Sequence, residues 1–173
     1  MTEKQKNILD SAIQLFANEG FNAVSTRSIA QKAGVSEGLI FRHFKNKMGL
    51  LESLLKRGEE RLEKTILSIE ELTHPKVILK HVISLPFNMD QDQKDFWKLY
   101  YSLGWQIEMP QLNSLDRVKN KVITAFKALG VSDANTEAGA LMLILDGAMS
   151  LMLTKKPKNA PMLFQVLIKK YNL

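Results

Sequence analysis

The chain has 173 residues, of which 45% are apolar and 24% charged, enough for one sizeable core or two small ones that share a helix. It contains no cysteine, which excludes disulfides, thiolate metal sites, a cysteine nucleophile and thiol redox sensing, and fits a reducing compartment. The formal charge of +6 favours polyanionic partners, although its distribution matters more than its sum.

The opening MTEKQKNILDSAIQLF has polar residues inside its apolar pattern and no small-residue cleavage site, so it does not read as a signal peptide, and a cytoplasmic protein is expected. Between Glu3 and Asn18 the residues Ile8, Leu9, Ala12, Ile13, Leu15 and Phe16 form a helical stripe, and Gly20 stands where a C-terminal cap is wanted. This predicts a first helix packed across the next two, with Phe16 and Phe44 as aromatic partners in a three-helix core.

From Thr26 to Lys47 the chain reads TRSIAQKAGVSEGLIFRHFKNK. Ile29, Ala30 and Ala33 recur at helical spacing, Gly34, Val35 and Ser36 interrupt the pattern, and Leu39, Ile40 and Phe44 resume it. Gly34 can turn left-handed without a Cβ clash, and Ser36 can cap the amides that open the second helix. The result is a helix-turn-helix with Glu37 to His43 as the recognition helix; an ordinary helical hairpin is the plainer alternative. Over residues 1–51 seven cations oppose four anions. Arg42, Lys45 and Lys47 cluster with His43 where a protein lying in a major groove meets the flanking phosphates.

Leu50, Leu51, Leu54, Leu55, Leu62, Ile66 and Ile69 keep helical spacing to about Leu72. They predict a fourth helix from Lys47 to Leu72, some 39 Å long at about 1.5 Å per residue, stopped by Thr73-His74-Pro75. The expected division is a DNA-binding domain over 1–47 and a helical body over 48–173. The body opens with Val77, Ile78, His81, Val82 and Leu85 on a helix that Pro86 ends or kinks. An aromatic centre follows at Phe96, Trp97, Leu99, Tyr100, Leu103 and Trp105, then a loop at Met109 to Gln111. Leu115, Val118, Val122, Phe126 and Leu129 mark a helix capped by Gly130. Ser132 or Asp133 caps a helix from Ala134 to about Thr154, and Lys155 to Asn159 leads to the last helix, Ala160 to Tyr171.

The apolar run from Ala138 to Leu153 is interrupted by Asp146 and Ser150 and falls short of the roughly 20 residues a membrane helix needs, so it reads as buried protein helix and no membrane is expected. Leu141 to Leu145 are apolar all round, and one covered side cannot bury them. The centre of a monomeric bundle would serve. A four-helix interface between two subunits is preferred, with Leu141, Ile144, Leu145, Ala148, Met152, Phe164, Leu167 and Ile168 at the contact. Glycine-rich phosphate loops, nucleophile elbows and dinucleotide fingerprints are missing from the sequence, and His74 and His81 lack a third ligand. Neither an enzyme nor a cofactor or metal is expected.

The stretch ILDSAIQLFANEGFNAVSTRSIAQKAGVSEGLIFRHFKNKMGLLESLL, within about Lys4 to Leu55, resembles the N-terminal domain of the TetR family of bacterial transcriptional regulators. The resemblance implies an all-α protein whose helix-turn-helix domain is joined by a long fourth helix to a ligand-binding and dimerisation body. It implies a homodimer on a palindromic double-stranded operator, acting as a repressor that a small apolar or aromatic effector releases. An activator or architectural protein whose body binds a protein partner is the alternative. Carried over by position, DNA contacts fall on Thr26, Arg27, Ser36, Glu37, Gly38, Phe41, Arg42, His43 and Lys47. On this reading the Thr26 and Ser36 hydroxyls and the Lys47 ammonium meet phosphate, and Arg42 reads guanine. Glu37 departs from the family's frequent basic residue and Phe41 from its frequent tyrosine. Glu37 is then expected to accept from a cytosine amino group and Phe41 to touch a thymine methyl. Phe87, Trp97, Tyr100, Tyr101, Trp105, Phe126 and Met142, with Met89 and Met109, are the candidate lining of an effector cavity.

Overall fold

The computed structural model describes residues 1–104, 113–155 and 157–173, and these fold into helices without a strand. In chain order they are α1 Glu3–Glu19, α2 Thr26–Ala33, α3 Glu37–Phe44, α4 Lys47–Glu70, α5 Pro75–Ser84, α6 Gln91–Gly104, α7 Asn113–Ala128, α8 Ala134–Thr154 and α9 Ala160–Lys170. A 3-10 turn at Leu85–Phe87 follows α5, so Pro86 ends that helix and does not kink it. Trp105 and Met109 lie outside the described residues.

Local chemistry explains the helix starts. Thr2 and Gln5 close a reciprocal capping box on α1, and Ser25 and Ser28 do the same on α2. Pro75 occupies the first turn of α5, where its missing N–H costs nothing. Asp133 caps α8 by accepting from the Thr136 amide at 3.1 Å, and hydrogen bonds from the Thr136 side chain first and its amide second pull the Asp133 carboxyl below the usual range.

Packing divides the chain into two compact units. The first comprises Met1–Glu60 with α6. Its core joins Ile8, Leu9, Ala12 and Phe16 of α1 to Ile29, Ile40 and Phe44 of the next two helices, Leu50, Leu51 and Leu54 of α4, and Leu99 and Leu103 of α6. Helix α6 therefore packs on α1, whereas its place in the chain suggested the body. Phe16 and Phe44 line this core together, and Phe16 also packs at a tilt against Phe21 with centroids 5.1 Å apart. The second unit comprises Arg61–Asp90 with α7, α8 and α9. Its core is built from Ile66 and Ile69 of α4, Ile78, Leu79, Val82 and Ile83 of α5, Val118, Val122 and Phe126 of α7, Ala138, Leu141 and Leu145 of α8, and Ile168 of α9. Helix α4 runs through both units.

With 21 residues, α8 is long and apolar enough to cross a membrane by length and composition, so the length argument made from the run Ala138 to Leu153 does not hold. One side of it packs into the second unit's core, and the other leaves Leu143, Gly147 and Ser150 exposed.

Candidate nucleic-acid interface

The turn between α2 and α3 follows from Gly34, which adopts φ 65° and ψ 36°, a left-handed conformation that an L side chain resists. Val35 then donates to the Ala30 carbonyl at 3.0 Å, closing the end of α2. Ser36 takes the extended conformation of a helix-opening residue, yet its side chain makes no capping bond, contrary to the sequence expectation. Ile40 and Phe44 turn α3 inward, leaving Gly38, Phe41 and Arg42 on its outer face, with Phe41 47% exposed. Arg27 on α2 and Ser36 in the turn are exposed as well. Five of the nine candidate DNA contacts therefore lie open on α2, the turn and α3.

The other four are half-buried and hold bonds within the domain. Thr26 Oγ1 donates to Glu37 Oε1 at 2.6 Å, tying the first residue of α2 to the first of α3. That hydroxyl is spent on Glu37 and not held out for phosphate. Gln5 Nε2 donates to His43 Nδ1 at 3.2 Å, drawing His43 toward α1. Lys47 departs furthest from expectation. Its ammonium donates to the carbonyls of Phe21 at 2.8 Å, Val24 at 2.9 Å and Asn22 at 3.4 Å, and sits 4.5 Å from the Phe21 ring centroid. An ammonium has three N–H groups, and all three are directed at the loop between α1 and α2. The residue is a clamp, with no donor left for a phosphate.

Between α3 and α4 the chain makes a tight γ-turn: Asn46 donates to the Phe44 carbonyl at 2.8 Å around Lys45, which is held at φ 67° and ψ −51°. Asn46 Oδ1 then accepts from the Gly49 amide at 2.8 Å and opens α4. A Cβ at Gly49 would stand 2.1 Å from the Phe44 carbonyl oxygen, so this turn requires glycine there.

The candidate effector residues are shared between the two units. Trp97, Tyr100 and Tyr101 form a ring cluster along α6 in the first unit, with Trp97 and Tyr100 centroids 5.6 Å apart. Burial raises the Tyr100 phenol above its usual range, and the Glu59 carboxylate adds to this. In the second unit Phe87 packs on Phe164 at 5.5 Å and buried Phe126 on Tyr171 at 5.7 Å, while Met142 lies against the same core. Met89 is buried.

Of the residues expected at a subunit contact, Leu141, Leu145, Met152 and Ile168 are buried within the chain itself, and Phe164 and Leu167 pack partly against the second unit's core. Ile144 and Ala148 are half-buried. The open apolar surface of the last two helices belongs instead to Leu143, Met162 and Val166, exposed by 77%, 71% and 63%. Helical spacing held the clue, because Gly139, Leu143, Gly147 and Ser150 recur every three or four residues on the side opposite Leu141 and Leu145.

Comparison with known proteins places these features among regulators. The family model described as bacterial regulatory proteins, tetR family, matches residues 8–54. An uncharacterized HTH-type transcriptional regulator, YvkB of Bacillus subtilis (strain 168), is 38% identical over 128 residues, taking in 57% of this chain and 68% of the relative. YerO of the same organism, named in the same way, is 36% identical over 99 residues, and the match takes in 56% of this chain but 34% of YerO. Among solved structures, a putative transcriptional regulator from Saccharomonospora viridis in complex with choline superposes with a TM-score of 0.78 at 21% identity, covering 98% of this chain and 95% of that one. The fatty acid degradation regulator FadR from Bacillus halodurans gives a TM-score of 0.68 at 20% identity, covering 98% and 94%. At those identities the structures establish the shared fold.

Proposed function

The chain belongs to the TetR family of bacterial transcriptional regulators, and from that premise we propose that it is a cytoplasmic, homodimeric repressor that holds a palindromic operator until a small apolar or aromatic effector releases it. Residues 1–47 act as the DNA-binding domain and residues 48–173 as the effector and dimerisation body. The observation that carries the reading is the outer face of α3, where an apolar ring, a guanidinium and an open glycine stand together on a helix whose other side is fixed in a core. Such a face fits the major groove, and exposed Arg27, Lys32 and Lys45 lie on the same helix pair or just past its end, suited to the flanking phosphates.

The bare apolar stripe of Leu143, Met162 and Val166 supports a second copy as the partner of α8 and α9. In such a dimer the two α3 helices must stand about one DNA turn apart, or a multiple of it. An effector that binds better to a dimer with another spacing lowers operator affinity by the ratio of its affinities for the two states. The aromatic side chains of the chain, and choline in the similar Saccharomonospora viridis regulator, support a small-molecule effector.

Selection of bound duplexes from a random pool at about 150 mM salt tests the reading. Enrichment of a two-fold repeat is expected. Binding without sequence enrichment, fading as salt rises, would remove operator recognition and leave generic attraction to phosphate.

A further inference from the structure

We propose that Glu37 is a base-reading residue that selects cytosine in the major groove, and that Thr26 is the positioning residue that holds it ready. The inference rests on the DNA-binding reading above. Glu37 opens α3 directly beside Gly38, whose missing side chain leaves the approach free. A carboxylate at this place is costly near phosphates unless it takes a hydrogen bond in return.

The bond from Thr26 Oγ1 at 2.6 Å occupies Oε1 and fixes the side chain, while Oε2 has no hydrogen bond within the described chain. The α2 end of this pair is itself anchored, because Ser25 and Ser28 cap the helix immediately around Thr26. Glu37 is half-buried and precedes exposed Gly38, so what remains is an acceptor with a set orientation and no donor of its own.

The major-groove edges answer such a group unequally. Guanine offers two acceptors and thymine one acceptor and a methyl group, so both oppose a carboxylate. Adenine offers an amino donor with the N7 acceptor beside it. Cytosine offers its N4 amino group with no neighbouring acceptor of that kind and is the best match. Arg42, five residues further along α3, displays donors only and reads a separate position about two base steps away at about 1.5 Å of rise per residue.

Duplex selection with the intact protein and with Glu37→Gln, Thr26→Val and Thr26→Ser decides the matter. The wild type is expected to return a palindrome with one cytosine per half-site favoured about ten-fold over the other bases. Glu37→Gln exchanges the acceptor-only group for an amide that pairs with adenine N6 and N7, so that single position should change from cytosine to adenine while the rest of the palindrome stays. Thr26→Val should weaken the cytosine preference about three-fold without changing the base, and Thr26→Ser should restore it. A purely structural Thr26 would lower affinity evenly at all positions. A palindrome that Glu37→Gln leaves unchanged overturns the inference and spares the operator reading. No palindrome from the wild type overturns both. Should Glu37→Gln fail to fold, a Thr26→Val selection identical to wild type overturns the positioning role, and a wild-type palindrome without an invariant cytosine overturns the base reading.

Discussion

Replacing Lys47 by methionine keeps a flexible apolar stem and removes the ammonium that joins the start of α4 to the loop between α1 and α2. Two of its hydrogen bonds, to Phe21 at 2.8 Å and Val24 at 2.9 Å, have ordinary length, and the third, to Asn22 at 3.4 Å, is at the limit. A hydrogen bond from a charged donor contributes about 1.5–3 kcal/mol when well made. Lys47 is half-buried and the carbonyls it leaves can rehydrate, so about half of the two-bond sum survives, roughly 2 kcal/mol. The contact with the Phe21 ring adds about 0.5 kcal/mol. For a chain of this length each kcal/mol moves the melting temperature by about 2–4 °C, so a fall of about 5–10 °C is expected.

The same substitution separates the clamp from a phosphate contact. Because all three N–H groups point to carbonyls, the dependence of operator affinity on salt should keep its slope, measured between about 50 and 200 mM. A lysine that met phosphate would reduce that slope by about 0.9 when removed. Affinity itself should fall by a salt-independent factor, through a looser setting of α1 and α2. Circular dichroism melting combined with a salt series of operator titrations reads both quantities. An unchanged melting temperature together with a slope lower by about one would refute the clamp.

Three further outcomes follow from the geometry. Lys45→Gly removes the strain of a side chain at φ 67° and ψ −51°, and after the entropy cost of glycine it should stabilise the protein by about 1 kcal/mol in denaturant titration. Tyr171, whose phenol burial and the Glu137 carboxylate push up to about 12, is held neutral by the fold; its contribution is complete below the ordinary value near 10.0 and is lost as pH rises from there toward 12, so Tyr171→Phe should flatten alkaline unfolding in that window. Glu70 has its carboxyl lowered, chiefly by the hydrogen bond from Arg117, which also binds Glu63. The stability it adds is present above the ordinary value of 4.5 and lost as pH falls below it, and Arg117→Gln should therefore flatten the acid limb of a melting-against-pH curve.

What the sequence made legible was local chemistry. Gly34 after Ala33, Pro75 after His74 and Asp133 before Ala134 each mark a helix end through a bond or torsion reached within a few residues, and the structure places helix ends at all three. The roles of Lys47 and Thr26 were misread because each depends on a partner far along the chain. The carbonyls that hold Lys47 lie 23 to 26 residues earlier, and the carboxylate that holds Thr26 lies 11 residues later. A lysine at the start of a helix looks the same in sequence whether it faces phosphate or a loop. The place of α6 was hidden for the same reason, since its Leu99 and Leu103 pack in a core with residues as distant as Ile8.

Helix α8 presents the limiting case, because Leu141 to Leu145 are apolar all round and only the spacing of Gly139, Gly147 and Ser150 marks the outer face, while core, partner subunit and lipid all suit the same leucines. The structure assigns Leu141 and Leu145 to the chain's own core and leaves Leu143 outside. The residues around Leu143 then discriminate between the remaining occupants. Gly139 and Gly147 on the outward side permit a close approach of another helix backbone, and Asp146 is exposed on that side one turn from Leu143. A carboxylate near the centre of a bilayer costs about 2.5–3.5 kcal/mol, whereas the polar rim of a protein contact accommodates one. The same face on α9 carries exposed Gln165 and Lys169 beside Met162 and Val166. A narrow apolar stripe edged by polar groups matches the core and rim of a protein interface, and replacing Leu143 and Val166 together by lysine should convert a dimer to monomers in sedimentation while leaving the buried Leu141 side intact.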